Sequence, residues 1–573
     1  MALDEREPDW SGWVSAAETY RWCDKDPFMD WMNANGTKAG FVADSRRPGY
    51  DRRFDYLSFA LKQSWAFRQA VMRLLSRQWE VRTIATNPSQ TRHVTKMQQT
   101  IDAMKEGVPI IAQAVLWNRD DRMTAVVDLL IRSDVLKSLC PAAFAGEPPG
   151  APAVSAPLLG DVPYHYRAID IKFVTLHLLK DGTASLGHLP YLVQNWIYNE
   201  ALGKTQGYTP PASYLLGRVL FGALATVRHD PELGRHAAEA AAWIRRLRTD
   251  GASWHLLPAP SVDELRPNLK APRDREWHTA KHEIGQTQHD LTLLPYVGPE
   301  RRALAAASGI SRWDDPALSA STVGLGDSTE GRRLDAVLTA NRSTGDPSVF
   351  PARLVANVGN WQRPAPHECF VSLHRVNDQA DDFSRLPERN GAAMLFMITW
   401  GWQDHDGRWQ SRQLVVRELS LAAEAEMISA WQAEVERWAE TNGLQLRDVR
   451  LFHWGNLDVP VPDLNWFDLL ENVIHKEPVT VRGAFGFGLS EIAGALHSIG
   501  LIDTALPERP GGALEAMAGA WSSAEEAASL QIPLEQAGPM QIIGRFSHAT
   551  CRSMMEILGL LRQRADTSLE EAA

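Results

Sequence analysis

The feature that most limits how this chain can fold is the run at residues 166–173, Tyr-Arg-Ala-Ile-Asp-Ile-Lys-Phe, where an acid and a lysine flank one apolar residue in a strand-like stretch. Strict alternation along a strand sends Asp170 and Lys172 to the same face. Upstream, the apolar run at residues 126–131 carries a second carboxylate, Asp128, in another strand-like segment. Downstream, residues 191–198 read as a helix, with Gln194 and Tyr198 one turn apart on one face. Two carboxylates and a lysine set in this way point to a metal-dependent hydrolase.

The order Asp128, then Asp170-x-Lys172, then Gln194-x-x-x-Tyr198 resembles the RecB-type nucleases of the PD-(D/E)XK superfamily. Phosphodiester hydrolysis needs charge neutralised on the scissile phosphate and a water made nucleophilic at neutral pH, which carboxylate-held Mg²⁺ or Mn²⁺ supplies. The resemblance implies Asp128 and Asp170 as the metal ligands and Lys172 as the catalytic lysine beside them. It also implies that Gln194 holds DNA or the lysine's surroundings in register. No separate organic cofactor is expected.

Further stretches extend the resemblance. The turn at 182–187, the helix at 189–202 and the segment Gly207-Tyr208-Thr209-Pro210-Pro211 look like bacterial RecB-family nucleases in which an RNase H-like domain follows the nuclease domain. Residues 258–268 and 309–315 share that character. The expected class is α/β, in four parts: an irregular Trp-rich extension over 1–50, a RecB-like PD-(D/E)XK domain over 51–222, a helical connector over 223–360 and an RNase H-like α/β domain over 361–565.

Within these parts, the apolar spacing through Tyr56, Phe59, Phe67, Val71 and Leu75 predicts an amphipathic helix over about 55–79. A helix at 95–104 leads into a buried strand at 108–116, and the Ala-, Gly- and Pro-rich segment 144–157 reads as a surface loop. The connector suggests helices at about 230–249 and 276–291, and at 301–315 two short helices around a Gly-Ile turn, an ordinary helix-helix turn ahead of a helix-hairpin touching DNA backbone. Strands at 368–374, 393–401 and 413–417, a helix at 421–441, strands at 449–454 and 466–470 and a closing helix at 554–562 suit an RNase H-like domain.

The departures from the family pattern matter as much. An active exonuclease of the RNase H-like kind carries Asp-x-Glu on its first strand, where this chain has Ser372 and His374. Asp458 and Asp468 stand for two further acids, while the late motif at 546–551 has lost its own. The expectation is therefore a catalytically dead C-terminal domain kept for binding, with His374, His548 and Asp468 as a remote alternative metal set. In the nuclease domain the first helix carries Ser64 and Phe67-Arg68 where the family has a glycine and a Phe-Glu pair. An arginine there puts a cation where a metal wants an anion, unless His93 or another acid substitutes. Ala125 and Leu192 replace a common glycine and lysine.

Length and composition bound these readings. At 573 residues, 44% of them hydrophobic, the chain can build two to four domains. No window of about 18–20 uncharged apolar residues occurs, and the charged start, Met1-Ala2-Leu3-Asp4-Glu5-Arg6, does not read as a secretory signal. The cytoplasm is the expected compartment and no membrane partner is expected. Four scattered cysteines argue against a disulfide framework or an iron-sulfur cluster. A net charge of −11 disfavours bulk electrostatic binding to nucleic acid, so DNA binding would need a recessed local site. Arg245-Arg246-Leu247-Arg248 and Arg301-Arg302 read as solvated helix faces. No Walker loop, nucleophile elbow or His-Glu-x-x-His helix is present.

Two function classes fit. One is a Mg²⁺- or Mn²⁺-dependent DNA nuclease whose C-terminal domain grips the strand or a protein partner. The other is a pair of worn-down nuclease folds acting as a nucleic-acid-binding or scaffold subunit of a DNA-processing or defence assembly. Arg68 discriminates them: turned away from the acids it favours the first, paired with them in place of a metal it favours the second.

Overall fold

Two strand-forming runs joined by a short loop seed the sheet that carries the candidate site. Strand β3 (Ile110–Asn118) and strand β4 (Met123–Arg132) are almost wholly buried and pair antiparallel, from Asn118↔Met123 to Ile110↔Ile131. The computed structural model describes residues 8–218, 224–345, 348–365, 367–386, 388, 391–455, 458 and 460–570. The expected border at 222 lies outside the described residues.

The chain is of mixed α/β class and divides into two compact units. Unit 1 draws on the described parts of Met1–Asp44, Ala60–Ala280 and Asp382–Asn390. Its sheet has the order β2-β3-β4-β5-β6-β7, with β1 (Val14–Ser15) pairing in parallel with β4. The other members are β2 (Val81–Thr83), β5 (Tyr166–Lys172), β6 (Ala212–Gly217) and β7 (Ala225–Arg228). β5 runs antiparallel to β4 and parallel to β6. The parallel step needs a crossover, and the helix α3 (Leu189–Gln206) supplies it. A proline opens α3 and Gly207, at φ +76°, closes it in a left-handed cap.

Helix α1 (Tyr56–Leu75) lies between β1 and β2, and helix α2 (Val94–Lys105) between β2 and β3. On α1, Phe67, Ala70 and Val71 recur at helical spacing and enter the core formed with Ile110, Leu129, Ile131, Ile169 and Ile171. Phe67 alone, 1% exposed, contributes about 1.5–3 kcal/mol of apolar burial. Arg68 and Gln69 fall on the opposite, cleft side of the helix.

Unit 2 comprises the described parts of Ser45–Phe59, Lys281–Asp381 and Gly391–Ala573. Besides the short antiparallel pair β8 (Val349–Phe350) and β14 (Thr480–Val481), it holds a five-stranded sheet of order β11-β10-β9-β12-β13. Strands β9 (His367–Val376), β10 (Met394–Gln403) and β11 (Trp409–Val415) form an antiparallel meander, and β12 (Val449–His453) runs parallel to both β9 and β13 (Trp466–Asp468). The helix Leu421–Thr441 buries Ala423, Met427, Trp431, Val435 and Ala439, a stripe repeating every fourth residue, and Ser420 caps its first turn through Ala423 N.

Several expectations need correction. Residues 8–44 are part of unit 1 rather than an extension: the helix Phe28–Asn35 buries Phe28, Met29, Trp31 and Met32, and Trp13 is also buried. The expected connector is divided at residue 280 between the units and opens with strand β7, followed by helices Pro231–Asp250 and His278–Gln288. At 301–315 a single helix, Pro299–Ala307, is followed by turns, and the next α-helix begins at Thr329. Gly309 at φ +79° turns the chain, and Arg312 pairs with Asp314 two residues on instead of extending a second helix. The closing helix, Gly538–Glu570, is longer than expected at both ends. No helix among the described residues is long and apolar enough to cross a membrane.

Candidate active site

The candidate residues meet where β4 and β5 part. The antiparallel register ends at Leu129↔Ile169, so Asp128 and Asp170 are the next facing pair. Beyond that point the Ile171 N–H donates to Asp128 Oδ2 at 2.9 Å instead of continuing the main-chain ladder. Asp128 also accepts from Gln113 Nε2 at 2.8 Å on its other oxygen. Both carboxylates are nearly sealed, at 6% exposure for Asp128 and 2% for Asp170.

Lys172 stands on the same face of β5 as Asp170, and its Nζ lies 2.8 Å from Asp170 Oδ2. Nζ also donates to Gln194 Oε1 at 3.0 Å and rests 4.8 Å from the centre of the Tyr191 ring. Gln194 and Tyr191 both come from the first turns of α3, so the crossover helix fixes the lysine from above the sheet. Asn195 Nδ2 makes a longer contact, 3.4 Å, to Asp170 Oδ2. Tyr198, one turn beyond Gln194, lines the same cleft.

Charge crowding marks the site electrostatically. Burial pushes the Asp170 carboxyl up to about 7, Lys172 opposes that rise, and neighbouring Asp128 adds to it. Burial, followed by the two aspartates, holds the Tyr198 phenol well above its ordinary value, so it stays protonated. At Asp170 burial thus outweighs the neighbouring cation, and the hard oxygen donors of the carboxylate pair suit a divalent cation such as Mg²⁺ or Mn²⁺. Asp128 and Asp170 would be the protein's two carboxylate ligands. Among the described residues no group of three His, Cys, Asp or Glu side chains is placed to share a metal.

Arg68, on α1, takes the position that discriminates the two function classes. It turns toward the acids, with Nη2 3.3 Å from Asp128 Oδ2. Its side chain is 34% exposed and its Nε is buried without a hydrogen-bond partner among the described residues. His93, the suggested substitute, stands at the N-cap of α2. Ala125 and Leu192 are buried in β4 and α3.

The site opens into a cleft of about 1490 Å³. One wall is the α1 face carrying Trp65, Arg68, Gln69, Met72 and Arg73, with Arg77 in the turn that follows, and the other includes Thr86, Asn87 and Arg92. Arg73 and Arg77 are exposed and make no ion pair among the described residues, in a chain where many surface arginines are paired with acids, as Arg82 is with Glu106. Trp65, 65% exposed, stands at the cleft as well.

Sequence reasoning missed Gln113. It adopts φ +52°, a left-handed conformation costly for a side chain with a Cβ. The neighbouring pairs Ala112↔Leu129 and Ala114↔Val127 place it directly across from Asp128. That pairing could have been counted from the two strand runs and the loop at 119–122.

In unit 2 the suggested alternative metal set is spread over different partners. His374 is buried beside Ser372, 3.4 Å away, His548 Nδ1 meets Ser411 Oγ at 2.9 Å, and Asp468 accepts from the Gly455 and Leu470 main-chain N–H groups.

Comparison with protein-family models, with curated proteins and with solved structures finds no match to this chain.

Proposed function

We propose that unit 1 is a Mg²⁺- or Mn²⁺-dependent nuclease that hydrolyses phosphodiester bonds of DNA at Asp128, Asp170, Lys172 and Gln194. The observation that carries this reading is the chain of contacts from Asp170 through Lys172 to Gln194, at 2.8 and 3.0 Å, beside Asp128 at the floor of an arginine-lined cleft. The order α1, β3, β4, β5, α3, β6, with β5 parallel to β6 and antiparallel to β4, supports a PD-(D/E)XK fold of the RecB type.

A divalent cation held by the two carboxylates would neutralise phosphate charge and lower the pKa of a water. The remaining work falls to this chain's side chains. Lys172 keeps a cation at the cleft floor, where it orients the attacking water or stabilises charge developing on the phosphate. Gln194 and the Tyr191 ring hold the ammonium in place. Gln113 and the Ile171 N–H fix the rotamer of Asp128. Unit 2, with its β11-β10-β9-β12-β13 order, supports an RNase H-like domain in which Ser372 and His374 replace the acids of the first strand. Its proposed role is to bind nucleic acid or a protein partner without catalysis, in the cytoplasm.

A second reading, a degenerate nucleic-acid-binding or scaffold subunit, is favoured by one observation: Arg68 pairs with Asp128. Cleavage of labelled single- and double-stranded DNA with Mg²⁺ or Mn²⁺ separates the two. The nuclease reading expects cleavage by the wild-type chain and none by Asp170→Ala or Lys172→Ala. DNA binding without cleavage by any of the three would establish the second.

A further inference from the structure

The site contains two carboxylates and two cations, and the cations are held very differently. Lys172 has Asp170, Gln194 and the Tyr191 ring around it, and its side chain is only 18% exposed. Among the described residues Arg68 makes one ion pair, at 3.3 Å, and its Nε finds no hydrogen-bond partner, while a third of its side chain is exposed. With both cations in place the site is balanced as two positive against two negative charges, and its attraction for a divalent ion is correspondingly small. The loosely held arginine is the one that can leave without crossing the core. The α1 face it would turn along carries Arg73 and leads to Arg77 in the following turn, and both lack carboxylate partners among the described residues.

A nucleic-acid backbone lying in this cleft offers phosphate oxygens to the guanidinium, a bidentate partner better matched to it than one oxygen of a carboxylate already engaged by Gln113 and Ile171. We propose that Arg68 is a latch that occupies Asp128 while the cleft lacks nucleic acid, and exchanges that carboxylate for a backbone phosphate so that the strand and the divalent cation bind with positive coupling. This rests on the nuclease reading of the cleft. It makes Arg68 a positioning residue, and it turns the apparent defect in the family pattern into a guard against metal loading without substrate. Because linkage is reciprocal, the cation must tighten strand binding by the same factor.

The test is Mn²⁺ titration of the full chain, followed by the electron paramagnetic resonance signal of free Mn²⁺, with and without a phosphorothioate oligothymidylate that resists cleavage. For the wild-type chain the strand is expected to raise Mn²⁺ affinity about tenfold, within the usual range for coupled sites. Arg68→Ala is expected to bind Mn²⁺ about as tightly without the strand as the wild type does with it, leaving little further coupling. Arg68→Lys, which keeps a movable cation, should retain part of the coupling and guards against a folding defect in the alanine variant. Equal Mn²⁺ affinity in the wild type with and without the strand, or full coupling in Arg68→Ala, would overturn the latch while leaving the nuclease reading intact. Absence of Mn²⁺ binding in every arm would overturn both.

Discussion

Replacing Asp170 by asparagine should make the fold more stable at alkaline pH while removing its proposed activity. The carboxyl is pushed up to about 7 from an ordinary value of 3.8, a rise caused first by burial and reinforced by Asp128. For an acid whose folded-state pKa is raised, stability is fully present below the unfolded value and is lost as pH climbs through the folded one. The group therefore costs nothing below pH 4 and its full penalty above pH 7. The difference of 7 − 3.8 corresponds to ~4 kcal/mol at pH 8, with the attraction of Lys172 already included. Asparagine imitates the neutral form, keeps the shape and escapes the penalty. Urea unfolding of the wild type and Asp170→Asn, both in chelator, measures it at pH 8 and at pH 4. The variant should be more stable by a few kcal/mol at pH 8, and the gap should close at pH 4. A variant less stable than the wild type at pH 8, or a gap that ignores pH, would refute the account of Asp170 as a carboxylate whose burial outweighs its attraction to Lys172.

Other consequences follow from the same structure. Arg167, fully buried on β5, is met by Glu147 at 3.0 and 2.7 Å and by His165 at 2.8 Å. Glu147→Ala strands that guanidinium and should cost about 3–5 kcal/mol in urea unfolding; a cost below about 1 kcal/mol would mean that the pair is not holding β5. Burial holds His374 down to about 4, so the unfolded chain takes up a proton that the folded chain refuses as pH falls below 6.5. Stability should therefore drop by about 3 kcal/mol from this group between pH 7 and pH 4, and unfolding of His374→Phe followed across that range should show a shallower decline. Arg73→Ala and Arg77→Ala should each weaken DNA binding at the cleft and reduce the slope of log affinity against log salt by about 1. Filter binding at several salt concentrations reads this, and an unchanged slope would place the strand elsewhere.

What the sequence made legible was whatever depended on local periodicity. Alternation along 166–173 is enough to put Asp170 and Lys172 on one face, and the helical spacing through Phe67 and Val71 is enough to give α1 an apolar side. The helix Leu421–Thr441 announces itself by an apolar residue every four positions. The rest was hidden because it depends on partners far away in the chain. Residues 10–35 show no period since their elements are short, yet Trp13, Phe28 and Trp31 are buried by packing against later elements, such as the carbonyl of Gly251 that receives the Trp31 indole N–H. The segment 144–157 looks like a free loop because Glu147 gives no local sign of its partner on β5. Gln113 is a glutamine in an apolar strand until the register shows which acid it faces.

The way unit 1 draws on the chain has a consequence for its biosynthesis and dissection. Phe383 and Leu386 belong to its core, and the Phe383 ring lies 5.5 Å from Phe67 and 5.6 Å from Phe173, the residue that follows the site lysine. A nascent chain halted at Ala280 has made every strand of the sheet but not the side chains that cover this corner. The candidate active site should consequently gain its final rigidity only after synthesis passes residue 386. A fragment cut at the apparent end of the unit would carry Asp128, Asp170, Lys172 and Gln194 on an incompletely covered core, and inactivity of such a fragment would speak about folding rather than about chemistry.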